Sequence, residues 1–165
     1  MFGLTALGVI HTAISLVALA SGFWAIARDK EILPANRLGR IYLAATVITA
    51  ATALGIYRHG GFRIGHQFAV LTLVVVAIGT LAAATSLFGR GSRYVQATCY
   101  SSTLLLHMIT GAAETLTCLP PGAPLVTAGN ASVFPYVLWS LVSLFAVGLA
   151  FQLRRVHASR RRQGA

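Results

Sequence analysis

Residues 65–88 read GHQFAVLTLVVVAIGTLAAATSLF, a run without a single Asp, Glu, Lys or Arg. About 20 predominantly apolar residues suffice for a helix to cross the hydrocarbon core of a bilayer. A surface helix of a soluble protein would carry charges along one face. The run is therefore read as a membrane span. Working outward, four further apolar segments have the same character: about 3–27, 38–57, 95–119 and 132–153. Turn-forming residues separate them: Pro34 and Asn36, then Gly60 and Gly61, then Gly89 and Gly91, then Pro120, Pro121, Gly122 and Pro124. The expected fold is an all-α integral membrane bundle of five transmembrane helices. It forms one domain over residues 1–165, with a basic tail at 154–165. Ala18-Leu19-Ala20 has the look of a signal-peptide cleavage site. No basic region precedes it, and the apolar run continues through Trp24 and Ile26, so the first span is expected to be retained.

Composition agrees. The chain has 165 residues, 56% of them apolar, with 13 Lys or Arg and only 3 Asp or Glu. Soluble domains carry about 25% charged residues, so a soluble enzyme, a disordered chain and a disulfide-stapled secreted domain are poor readings. The net charge of +10 does not point to nucleic acid, because the basic residues sit in short runs between apolar segments. There they meet anionic lipid headgroups. Arg28, Lys30, Arg37, Arg40, Arg90, Arg93, Arg154, Arg155, Arg160, Arg161 and Arg162 fall on one side of a five-span chain, and only Arg58 and Arg63 on the other. The positive-inside rule then puts the N-terminus outside and the C-terminus in the cytoplasm. Short loops and the excess of Arg over Lys fit a bacterial inner membrane.

Ionisable residues inside spans are costly and usually face the bundle interior or a cavity. There are four: His11, His66, His107 and Glu114. On the assigned topology they form two levels. At about 1.5 Å per residue, His11 and His107 lie about 12 and 18 Å from the outer ends of their spans. Glu114 and His66 lie nearer that face, with Arg58, His59 and Arg63 in the loop above. His107, Gly111 and Glu114 share one helix face, and Gly111 lets a flat ligand approach. The deeper level suggests a b-type haem held by His11 and His107, with propionates toward Arg58 and Arg63. Against this stand hydrogen bonds from both imidazoles to hydroxyls or backbone of neighbouring helices, such as Thr5, Thr12, Ser15, Thr103 and Thr110. The shallower level suggests a metal held by His66, Glu114 and His59, or an ion pair of Glu114 with Arg63 or His66. All four residues are expected to point into a shared cavity.

Cys99 and Cys118 are too far apart along one helix to bridge, and no HExxH or GxSxG pattern assigns a reaction class. Three functions stay open: an electron-transfer protein with haem b in the outer half, a structural or assembly subunit with a protein partner or a second copy of the chain, and a small-solute or proton transporter. Only Thr46, Thr49, Thr52 and Thr85 offer polar groups toward the inner half, which counts against transport.

The order Asn36-Arg37-Leu38-Gly39-Arg40-Ile41-Tyr42, then an apolar span, then Gly60-Gly61-Phe62, Gly65-His66 and Leu71-Thr72-Leu73, resembles a family of bacterial membrane proteins, domain of unknown function 2306. His11, with Gly22 about three turns later, is similar to the family's opening helix. The resemblance covers about residues 8–88. It implies a small helical bundle in a bacterial membrane. Asn36 departs from the His often found there.

Overall fold

The computed structural model describes residues 5–56, 64–120 and 122–163. Five α-helices account for most of them: α1 (Ala6–Asp29), α2 (Arg37–Leu54), α3 (Ile64–Ala84), α4 (Ser92–Cys118) and α5 (Val133–Gln163). Short 3₁₀ turns at Gly89–Gly91 and Ala128–Asn130 precede α4 and α5. Helix α1 packs on α2, α2 on α3 and α3 on α4, and α1 touches α4, which closes a four-helix ring. Helix α5 lies outside the ring against α4.

The burial pattern is inside-out relative to a soluble bundle. Small and hydroxyl residues face inward: Ala18, Ser21, Gly22 and Ala25 on α1, Thr46, Thr49 and Ala50 on α2, and Ala69, Thr72, Gly79 and Ala82 on α3. Large apolar residues face outward: Val9, Ile10, Leu16, Val17, Val47, Ile48, Leu71, Val74, Leu81, Leu144, Val147 and Phe151. Without a hydrophobic drive between helices, close packing of small residues and interhelical hydrogen bonds hold a membrane bundle together. Water would penalise so large an apolar surface. Helices α1, α3 and α5 are long and apolar enough to cross a membrane. Helix α2 starts on Arg37 and Arg40. Helix α4 carries Arg93, Gln96, Ser101, Thr103, His107, Thr110 and Glu114, and it is also the helix that touches α1, α3 and α5.

Two crossings set the packing. A Cβ on Gly22 would come within 2.8 Å of the Tyr42 ring and 2.9 Å of Leu104 Cδ1. One on Gly79 would come within 2.7 Å of the Tyr100 ring. Each glycine is the seat of a tyrosine from the next helix, and both tyrosines are fully buried. At the same end, the α1–α2 connection is tightly built. Lys30 closes α1 in the left-handed conformation (φ 65°). Asn36 caps α2 by accepting from Gly39 N at 2.8 Å and donates to Asp29 Oδ2 at 2.8 Å. Glu31, in the same connection, pairs with Arg93 of α4 at 2.6 Å.

Two helix ends differ from the expected spans. Helix α3 stops at Ala84 rather than 88. Thr85 folds its hydroxyl onto Leu81 O (2.7 Å) and accepts from Leu87 N (3.3 Å), a local alternative to continuing the helix. Helix α5 does not end at 153 but absorbs most of the basic tail. No Gly or Pro interrupts residues 153–163, and Arg is a good helix former. Tyr94 OH meets His157 Nδ1 at 3.0 Å, Arg160 stacks over the Tyr94 ring and also donates to Arg90 O, so the tail is fastened to the start of α4. At about 1.5 Å per residue the 31-residue helix is about 46 Å long, well beyond the roughly 30 Å hydrocarbon core.

Candidate functional site

The basic end of the bundle holds the 30–36 and 85–91 connections and the tail of α5; the far end holds the start of α1 and the end of α4. Helix α2 runs from the basic end to the far end, and on it Thr46, Thr49 and Thr52 stand at i, i+3 and i+6, along one face. Both histidines of the deeper level meet this stripe. His11 Nδ1 donates to Thr49 O at 3.1 Å and lies 3.1 Å from Thr52 Oγ1. Thr52 spends its own proton on Ile48 O or Thr49 O (both 2.9 Å), so its oxygen accepts from the imidazole. That fixes the His11 tautomer and leaves Nε2 as the acceptor nitrogen. From α4, His107 Nε2 meets Thr46 Oγ1 at 3.1 Å.

The chain of polar groups continues toward the basic end. His107 stands edge-on to Tyr42, with ring centroids 6.4 Å apart and planes at 79°. Tyr42 OH bonds Thr103 Oγ1 at 2.7 Å, and Thr103 donates to Tyr100 O at 2.7 Å. Tyr100 OH reaches Thr80 on α3 at 3.3 Å. Between the two histidines, Thr49 Oγ1 is buried and finds no hydrogen-bond partner among the described residues. Tyr42 and Tyr100 pack in one buried cluster with Ala25, Ile32 and Leu104.

The structure thus brings His11 and His107 to one helix rather than face to face. A two-sided iron site needs a nitrogen of each ring turned toward a shared centre. Here Thr46 occupies His107 Nε2 and Thr49 and Thr52 occupy His11 Nδ1, which leaves His107 Nδ1 and His11 Nε2 as the remaining ring nitrogens. The hydrogen-bonded alternative holds in kind, but its partners are Thr46, Thr49 and Thr52 rather than Thr5, Thr12, Ser15, Thr103 or Thr110. Their three-residue spacing on span two was the signal available in the sequence. Gly111 is half-buried, with open space where its Cβ would stand.

Of the four residues expected in one cavity, His66 and His107 are buried and His11 is half-buried. Glu114 is the exception: it is exposed, in contact with Cys118 Sγ at 3.7 Å. From Glu114 onward α4 is largely exposed, so sharing a face with His107 does not bring Glu114 inside. Among the described residues no three His, Cys, Asp or Glu side chains gather as a metal-ligand set. Arg58, His59 and Arg63, named for propionates and metal, lie outside the described residues. No protein-family model, curated protein or solved structure matches the chain.

Proposed function

We propose that the chain is a five-span membrane protein of the inner membrane, with its basic end in the cytoplasm, that takes protons from its outer face into the bundle. The charge split supports the orientation, and the apolar outer surface supports lipid around the whole ring. Labelling with an impermeant thiol reagent checks the topology in a background lacking Cys99 and Cys118. Gly60→Cys is expected to react in intact cells and Gly91→Cys only after permeabilisation; the reverse pattern inverts the orientation.

One observation carries the proton reading: two imidazoles joined to one threonine stripe, with a tyrosine–threonine pair continuing the line. Ionisable groups inside a membrane bundle mark such pathways. From Thr52 to Tyr42 the line covers about 15 Å, half of the hydrocarbon core. It then meets the packed Ala25, Ile32, Tyr100 and Leu104 cluster. The reading is therefore a one-sided relay ending on a buried pair, not a channel through the membrane. His66 on α3 and Glu114 on α4 stand on the entry side.

The test is nitrogen-15 histidine NMR in sealed proteoliposomes of known orientation. Changing pH between about 4 and 8 on the far-end side is expected to move the resonances assigned by His11→Gln and His107→Gln, while the same change on the basic-end side leaves them still. Resonances that respond to neither side, or equally to both, overturn the relay. A Soret band in the purified protein that His11→Ala and His107→Ala both abolish would replace it with the haem reading.

A further inference from the structure

Helix α5 packs on the ring through α4, and a groove opens between α1 and α5 with α4 as its floor. Its cavity volume is about 650 Å³, within the roughly 300–1,000 Å³ of small-molecule sites. Phe23 and Ile26 form one wall, Leu104 and Met108 the floor, and Leu144 and Phe145 the other wall. From Leu141 to Gln152 its apolar part runs about 16 Å along α5, close to half of the roughly 30 Å hydrocarbon core and so to the depth of one leaflet.

The groove changes character at the basic end. Lys30, Arg154 and Arg155 line it there, and no acidic residue does. Among the described residues the ion pairs are Arg28–Asp29 and Arg93–Glu31, so these three cations have no carboxylate partner. Lys30 gives one proton to Ala27 O and has two more to donate. One turn deeper, Gln152 lines the groove at 6% exposure. Its Oε1 accepts from Ser101 Oγ at 2.7 Å, and its Nε2 has no hydrogen-bond partner among the described residues. A buried amide donor without an acceptor is costly unless a bound group satisfies it.

We infer that this groove is a specific site for one anionic glycerophospholipid, with an acyl chain along Phe23, Leu104 and Phe145, a glycerol-ester oxygen on Gln152 Nε2, and the phosphate against Lys30, Arg154 and Arg155. The order of the groove's groups, apolar length, then a single amide donor, then three cations, is the order of groups along such a lipid. An uncharged isoprenoid would leave the cations unanswered, and a free phosphate would leave the apolar length empty. The inference rests on α1 and α5 lying in the membrane and not on the proton relay.

Native mass spectrometry of the delipidated full chain in detergent tests it, titrating dioleoyl phosphatidylglycerol. One lipid is expected to be retained per chain. Arg154→Gln with Arg155→Gln is expected to weaken retention about tenfold or more, since each cation near a lipid phosphate is worth about 1 kcal/mol. Gly148 also lines the groove, with open space where its Cβ would stand. Gly148→Leu should block the chain and weaken retention comparably, whereas Gly148→Ala should bind like the parent. Thermal melts by circular dichroism show whether each variant is folded; should Gly148→Leu not fold, the arginine variant decides alone. Unchanged retention in the arginine variant or in a folded Gly148→Leu overturns the site. So does equal retention of dioleoylglycerol, which lacks the phosphate, or displacement by inorganic phosphate alone. The measurement is made in detergent, so it reads the groove even if the topology or the relay fails.

Discussion

Gly39→Ala is expected to yield little or no folded protein. The amide of Gly39 is held by the Asn36 side chain at 2.8 Å, so the first turn of α2 is pinned where it is. A Cβ there would overlap the carbonyl oxygen of Leu33. The obstacle is main chain, in a connection fixed at one end by the Lys30 C-cap and at the other by the Asn36 N-cap. A flexible side chain could step aside; this backbone cannot without releasing Ile32, which is fully buried against the Tyr42 and Tyr100 cluster. A penalty above about 3 kcal/mol places the substitution among the few that exceed the ordinary range. The measurement is the fraction of protein recovered as a monodisperse peak in detergent, with Arg40→Ala as the matched control on the solvent side of the same turn. Recovery of Gly39→Ala at the level of that control would show that the connection yields.

This connection also explains what the sequence made legible and what it did not. Long apolar runs and turn residues place five helices to within a few residues, save the end of α5, which runs ten residues past the expected 153. Length and the absence of charge are sufficient for a helix that must satisfy its own backbone, but they say nothing of how far a basic tail continues it. Of the residues named for the resemblance, Gly39 abuts Leu33 and Gly22 seats Tyr42, which are packing roles, whereas His11 bonds Thr49 O on α2.

The site was harder to see. Both His11 and His107 meet α2 within the stretch 46–52, but depth along a span says nothing about azimuth. The azimuth of both rings is decided by α2, on which Thr49 and Thr52 lie in the half toward the far end and not toward the inner half. Glu114 went astray for the opposite reason. It shares a face with His107, but α4 is largely exposed from Glu114 onward, and helix periodicity carries no information about how far along a helix burial extends.

Arg93→Ala is the second substitution with a large expected effect. The chain has three acidic residues, and Glu31 is the one whose side chain is nearly withdrawn from solvent, at 10% exposure. Its Oε1 takes the Arg93 guanidinium at 2.6 Å, and its Oε2 has no partner among the described residues. Removing Arg93 strands a carboxylate beside the fully buried Ile32. Breaking a fully buried pair in this way costs about 3–5 kcal/mol. Arg93 is itself 37% exposed, so water can partly replace it and the expected loss is about 2 kcal/mol. The contact ties the α1–α2 connection to α4, so the loss should be seen as earlier thermal unfolding of the whole ring. Glu31→Gln in the Arg93→Ala background should recover much of it, because the neutral amide avoids the stranded charge. If the double variant is no more stable than Arg93→Ala, the guanidinium acts through its aliphatic packing against the connection and not through the charge of Glu31.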